Sequence, residues 1–437
     1  MRARRAAFAV VSAALMLATG CSSTGTVPAD AAPSGARLYG VDGNITNSMG
    51  SAFKTPGAIS GMVGTTPLTP LSEDFKQRLR AVDPALSEYE YSGESYDAVV
   101  ISALAVQIAR TTDPPVVAKY INAVTTLTPG GVECDTIKKC FDAVAAGKDI
   151  AYRGVTVRSG FTDDGEPSTT SYGTLHFGRD NKIDEGKTEF VSAGDSKDAT
   201  RQPEPPPAAG KGKGDALRLG LLVPKTGGLA GEGVPIAAGA HLAIKEINAL
   251  GGVLGKAVTY EDADDGTDPT KSVAALDKLI ADGIGIVIGP STSGESVALI
   301  PKAVAAGRIL FSYSATSAAL TKADDHGLYF RTSPSDVYQS QAISDVIMRG
   351  GARRVFIIAA ANPYGNGVRD GVTEDLAKAG IKKLDIGSLG YKDGQKDYSE
   401  IVQAVRAFNP DSILIVGYDE SADVIKALQD GGVTFVH

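Results

Sequence analysis

With 437 residues, 43% apolar and 22% charged, the chain is long enough for two or three ordinary lobes with their own cores, and too apolar for a disordered protein. Its formal net charge of −8 argues against electrostatic attraction to nucleic acid or to an anionic membrane surface. The four histidines (His176, His241, His326, His437) lie far apart and, with three cysteines, give no zinc-type spacing, so no metal or other cofactor is expected.

Residues 1–20, MRARRAAFAVVSAALMLATG, place Arg2, Arg4 and Arg5 before an apolar run that is short for a membrane span and is followed by small residues. This reads as an export signal. The next step, Ala18-Thr19-Gly20-Cys21, resembles the lipobox of bacterial lipoproteins, although Ala18 stands where Leu is commoner. The resemblance implies that Cys21 is lipidated and holds the protein to the outer face of the bacterial cell membrane. An ordinary cleaved signal with a chance cysteine is the alternative. Loss of the three leader arginines takes the net charge to −11, so any hold on the membrane would come from the lipid alone. Residues 21–36, small, polar and proline-containing, read as a flexible tether.

The first apolar run beyond the tether is ARLYGVDGN (36–44), which has no strand–helix unit before it. Cys134 and Cys140, in GGVECDTIKKCFDA, form an even pair in an exported chain and predict a disulfide across a small loop. Residues 201–215 contain QPEPPPAAGKGKG, a linker that divides the chain. Beyond it, strands and helices alternate. LRLGLLV is a strand, the following helix carries Ile236, Ala240, Ala243, Ile244 and Ile247 on one face, and AVTYEDAD is the next strand. Asp268-Pro269 caps another helix. The segments IGIVIGP, ESVALIPKAVAAG, RILFSYSA, RRVFIIAAA, NGVRDGVTEDLAKAG, LDIGSLGY, YSEIVQAVRAF and DSILIVGYD continue the pattern. Such βαβ units form parallel sheet with helices on both faces, which sets the class as α/β. The last helix and turn, SADVIKALQDGGVTFVH, call for one more strand, and ARLYGVDGN would supply it. Read as 216–437 followed by 36–200, the pattern is continuous.

In open α/β sheets, ligands bind beyond the carboxyl ends of the strands. GIGIVIGP runs into STSGES, so Ser293 opens a helix, where hydroxyls and N–H groups suit a carboxylate. RILFSY brings Ser314 and Thr316 to the neighbouring loop. Tyr364 follows the strand VFIIAAA, Tyr418 follows DSILIV and Asp42 follows ARLY, an arrangement suited to an ammonium group. An anion site facing a cation site describes an α-amino acid. Each residue also has a plainer reading: Ser293 as a helix N-cap, Tyr418 as sheet-end packing, Asp42 as a turn former.

In the reordered reading, the chain resembles the leucine/isoleucine/valine-binding protein family, the type I periplasmic binding proteins of ABC importers. The matching stretches are LGLLVPKTGGLAGEG, YEDADDGTDPTKSV, VIGPSTSGES, FSYSATSAAL, NPYGNGVRDG, ILIVGYDESADVIKAL, LYGVDGN, GAISGMVGTTP and ESYDAVVISALA, in a consistent cyclic order. The resemblance implies two doubly wound parallel-sheet lobes joined by three crossing segments, with the ligand between them and the chain circularly permuted. One lobe would comprise 216–346 and 68–150, the other 350–437, 36–67 and 152–200. It implies that Ser293, Ser314 and Thr316 hold the ligand carboxylate, that Tyr418 and Asp42 hold the amino group, and that Tyr364 lines the cleft. Leu229 and Glu232 match the part of the pocket that faces the ligand side chain, though Glu232 also reads as a solvated loop carboxylate. Two positions depart from the pattern: Asp42 is shorter than the Glu often found there, and Ser314 replaces a frequent Ala. ABC permease subunits are the implied partners. A sensor lipoprotein of the same fold is an alternative, as is, more remotely, an exported hydrolase, although GPSTSG is not a nucleophile elbow and no histidine is placed to serve it.

A linker that keeps both halves at high effective concentration favours closure within one chain over a domain-swapped dimer. Light scattering is expected to give a monomer; a dimer at all concentrations would mean that the halves pair between molecules.

Overall fold

The computed structural model describes residues 35–199, 210 and 214–436. The predicted leader, Cys21, the tether up to residue 34 and most of the linker lie outside the described residues. Among those described, no helix is long and apolar enough to cross a membrane.

In chain order the elements are β1 (Arg37–Val41), α1 (Asn47–Ser51), β2 (Val63–Pro67), α2 (Glu73–Arg80), α3 (Ser92–Ala109), α4 (Pro114–Ile121), β3 (Val132–Cys134), α5 (Ile137–Ala145), β4 (Ile150–Tyr152), β5 (Thr169–His176) and β6 (Glu189–Gly194). Past the linker come β7 (Arg218–Val223), α6 (Ala230–Ala249), β8 (Thr259–Asp264), α7 (Pro269–Ala281), β9 (Ile286–Ile288), α8 (Ser293–Ala306), β10 (Ile309–Ser312) and β11 (Tyr329–Arg331). They are followed by α9 (Asp336–Arg349), β12 (Val355–Ala360), α10 (Pro363–Lys378), β13 (Ile386–Tyr391), α11 (Ser399–Phe408), β14 (Ser412–Val416) and α12 (Ser421–Asp430).

The strands form two main sheets, ordered β11-β10-β9-β7-β8 and β13-β12-β14-β1-β2-β5-β6, with a small β3-β4 pair. The five-stranded sheet is parallel throughout. Central strands such as β9 and β14 are buried along their whole length, because helices cover both faces and leave no solvated side to alternate toward. In the seven-stranded sheet, β1 lies between β14 and β2, parallel to both, with Tyr39 opposite Leu414 on one side and Val63 on the other. At one edge the parallel pattern gives way: β5 runs antiparallel to β2 and β6 antiparallel to β5, a meander that needs no crossover helix.

Each lobe draws on both halves of the chain. The lobe around the five-stranded sheet contains β7–β11 and α6–α8, and residues 73–152 pack into the same apolar core. The lobe around the seven-stranded sheet combines β12–β14 with β1, β2 and β5. Helices α3 and α6 meet so closely that a Cβ on Gly239 would lie 2.1 Å from the Ser92 carbonyl oxygen; only glycine fits there. Cys134 and Cys140 form a disulfide that ties β3 to α5 within the first lobe.

Among the described residues, segments 68–72, 153–168 and 332–335 run between the two lobes. Helix α3 fastens two of them. The buried Asp97 carboxylate accepts the N–H groups of Val155, Thr156 and Val157 at 2.7–3.0 Å and the Tyr152 hydroxyl at 2.8 Å. One turn away, the Glu94 carbonyl accepts the Thr332 hydroxyl at 3.0 Å. The Glu94 side chain is itself buried, and burial raises its pKa from 4.5 to about 8. The folded state therefore binds more protons than the unfolded state between those values, and stability falls as pH rises through that window. Glu94→Gln is expected to flatten the decline in urea-unfolding free energy between pH 5 and about pH 8; an unchanged slope would assign it to other groups.

Candidate functional site

Six strand ends converge on one cleft. From the first lobe, the end of β9 leads to Ser291, Thr292 and Ser293, the end of β10 to Ser314 and Thr316, and the end of β7 to Leu229 and Glu232. From the second, the end of β1 brings Asp42 and Gly43, the end of β12 Tyr364, and the end of β14 Tyr418. Tyr91, just before α3, completes the pocket. None of the lining residues is Lys, Arg or His.

The first-lobe wall is set by hydrogen bonds made behind it. Asp265 accepts the Ser291 N–H at 3.2 Å and its hydroxyl at 2.5 Å. Thr292, not Ser293, is the N-cap of α8: its hydroxyl accepts the Glu295 N–H at 3.2 Å, and the Glu295 carboxylate accepts the Thr292 N–H at 2.8 Å. Ser293 is the first helical residue and is free of that duty; its Oγ accepts the Ser317 N–H at 3.0 Å, which leaves its own proton to donate. Ser314 does the reverse, giving its proton to the Ser291 carbonyl at 2.7 Å and keeping its lone pairs. The loop that carries Ser314 and Thr316 is pinned by Arg331, which is 1% exposed. Arg331 donates to the carbonyls of Ala315 and Ser317 at 3.2 and 2.9 Å and is paired with Glu166, also buried.

On the second lobe, Asp42 is buried and accepts three side-chain donors: Tyr364 and Gln339 on Oδ1, the latter at 2.6 Å, and Tyr91 on Oδ2 at 2.9 Å. A carboxylate has about four lone-pair sites, so Oδ2 can accept one more donor. Burial raises the Asp42 pKa against the pull of these hydrogen bonds. Asp336, buried at the start of α9, repels it, and the Asp336 N–H donates to the Thr316 carbonyl at 2.8 Å. The rings of Tyr364 and Tyr418 stack at 5.6 Å with 11° between their planes. Gly43 lies under them, where a Cβ would come within 2.8 Å of Tyr418.

A sequence profile of the periplasmic binding protein family matches residues 216–436, half of the chain. The chain belongs to that family. Among curated relatives, it is 31% identical over 205 residues to the Leu/Ile/Val-binding protein BraC3 of Rhizobium johnstonii, covering 46% of this chain and 54% of that protein. It is 28% identical over 221 residues to the Leu/Ile/Val/Thr-binding protein of Salmonella typhimurium, covering 50% and 60%. This periplasmic binding protein thus spans little more than half the length of the curated relatives it matches. Among solved structures, the branched-chain amino acid substrate-binding protein LivJ of Streptococcus pneumoniae, in complex with isoleucine, is 26% identical with a TM-score of 0.44, covering 51% of this chain and 63% of that one.

All eight residues that the sequence nominated for the ligand, Asp42, Leu229, Glu232, Ser293, Ser314, Thr316, Tyr364 and Tyr418, line the one cleft. Glu232 is not a solvated loop carboxylate: it lies in the first turn of α6 and is 8% exposed. Sequence reasoning missed Ser291, Tyr91 and Gln339. Ser291 follows β9 and was within reach of the strand-end rule. Tyr91 holds a left-handed backbone conformation (φ 53°) before α3, and Gln339 reaches Asp42 from a helix, so neither carries a sequence signal.

Replacing Arg331 by Leu would leave Glu166 buried without its partner and free two carbonyls behind the Ser314–Thr316 loop. Arg331→Leu is expected to destabilise the protein by about 3–5 kcal/mol in urea unfolding. A loss below about 1 kcal/mol, the range of a surface pair, would show that this ion pair does not hold the loop.

Proposed function

We propose that this chain is an exported, lipid-anchored solute-binding protein that clamps an α-amino acid between its lobes and presents the closed form to the permease of an ABC importer. The observation that carries this reading is the division of chemistry across the cleft. One wall offers hydroxyls and the N-terminus of α8, which suit a carboxylate. The other offers Asp42, already oriented by Tyr91, Tyr364 and Gln339, with one lone pair of Oδ2 open to an ammonium group.

Ser293, with a proton to give, would donate to the carboxylate, and Thr316 would meet it from the neighbouring loop. Ser314, expected from the sequence to hold the carboxylate, has its proton committed to Ser291 and would instead turn its lone pairs to the ammonium. The shorter reach of Asp42 is offset by burial, which keeps water from competing for the same contact. Relatives named as binding proteins for Leu, Ile, Val and Thr support an amino-acid ligand and a role in binding rather than turnover. Membership of the periplasmic binding protein family supports export, and the lipobox-like Ala18–Cys21 supports the anchor.

Segments 68–72, 153–168 and 332–335, which run between the lobes, would let the cleft close. A ligand that touches both walls binds the closed form more tightly than the open one, and that difference in affinity shifts the equilibrium. The strand order supports a circularly permuted arrangement, in which residues 36–200 follow 216–437 in structural order.

Titration calorimetry with the twenty amino acids is expected to show binding. Asp42→Ala and Ser293→Ala are each expected to weaken it about tenfold or more, since each removes a charge-assisted hydrogen bond, without lowering the unfolding temperature by more than a few degrees. Absence of heat with every amino acid would overturn the ligand class.

A further inference from the structure

Several acids crowd the end of the cleft where α6 begins, and most are engaged. Asp419 accepts the hydroxyls of Ser48 and Thr46, at 2.5 and 3.3 Å. Glu420 accepts the Tyr391 hydroxyl at 2.8 Å and the Tyr418 N–H at 3.0 Å. Asp42 has its three donors. Glu232 differs: it is 8% exposed, it lines the cavity, and its carboxylate accepts no hydrogen bond from the described residues. No cation lines the cleft.

A largely buried side chain whose carboxylate has no protein donor must take its hydrogen bonds and counter-charge from water or from a bound group. Within a closed cleft, the group positioned to supply them is the ligand.

We infer that Glu232 is a specificity residue that receives a second cationic group, so that the ligand is a basic α-amino acid with an ω-ammonium or guanidinium end rather than an aliphatic one. The inference rests on the α-amino-acid reading above and extends it to the side chain. The ligand carboxylate lies against α8, its α-ammonium at Asp42, and its distal cation at Glu232. Leu229, beside Glu232, covers the methylene stem. The net negative charge of the chain favours the approach of a cation.

The test is calorimetry on the purified protein with 2,4-diaminobutyrate, ornithine, lysine and arginine, against norvaline, leucine, glutamine and glutamate. At least one basic member is expected to bind about ten- to hundredfold more tightly than the neutral members, the range of a charge-assisted hydrogen bond. Glu232→Gln, whose shape is nearly that of the native side chain, is expected to reduce that preference about tenfold or more while changing norvaline affinity less than about threefold. Leucine, glutamine or glutamate binding as tightly as the best basic ligand would overturn the inference and leave the amino-acid reading standing. An undiminished basic preference in Glu232→Gln would also overturn it. Putrescine binding while every amino acid stays silent would uphold cation recognition at Glu232 and refute the α-amino-acid reading.

Discussion

The structure depends on the place of β1. This five-residue strand fills the gap between β14 and β2, so the backbone groups of two strands on opposite sides of the linker are satisfied through it. Without it the seven-stranded sheet would split into two pieces with unpaired edges inside a core, where orphaned N–H and C=O groups are rarely tolerated. The same strand ends at Asp42, so the element that closes the sheet also delivers the carboxylate to the cleft. The fit between α3 and α6, with Gly239 against Ser92, joins the two halves of the chain in the other lobe.

The cleft is best understood by asking which polar groups are already engaged. Ser291, Thr292 and Ser314 direct protons or lone pairs into the protein, and these bonds give the wall its shape. Arg331 works one layer further back, holding a loop it does not belong to. What remains open includes the proton of Ser293, the lone pairs of Ser314, one lone pair of Asp42 and the carboxylate of Glu232. Ser293, Ser314 and Asp42 match the ends of an amino acid, and Glu232 bears on the rest of the molecule. The hinge obeys the same economy, with α3 holding two crossing segments through Asp97 and the carbonyl of Glu94.

Much of the fold was legible in the chain because parallel strands buried on both faces must be apolar throughout. LRLGLLV, IGIVIGP and DSILIVGYD could hardly be anything else. The strand-end rule then led to Ser293, Ser314, Thr316, Tyr364, Tyr418 and Asp42, since loops at the carboxyl ends of such strands face one crevice. The β5–β6 meander was less legible. Its outer strand is exposed along nearly its whole length and has no buried face to impose a period.

The sequence by itself determined the class of fold, the disulfide partners and the strand ends where a ligand could sit, because hydrophobic period and cysteine count are local properties that survive in one dimension. Only the tertiary structure decided what each polar group is free to do. It made Thr292 rather than Ser293 the cap of α8, brought Tyr91 and Gln339 to Asp42 from distant segments, and set Glu232 in the cleft wall. The physical reason is that burial and hydrogen-bond partnership belong to pairs of residues far apart in sequence, and their spacing along the chain carries no trace of which pairs will meet.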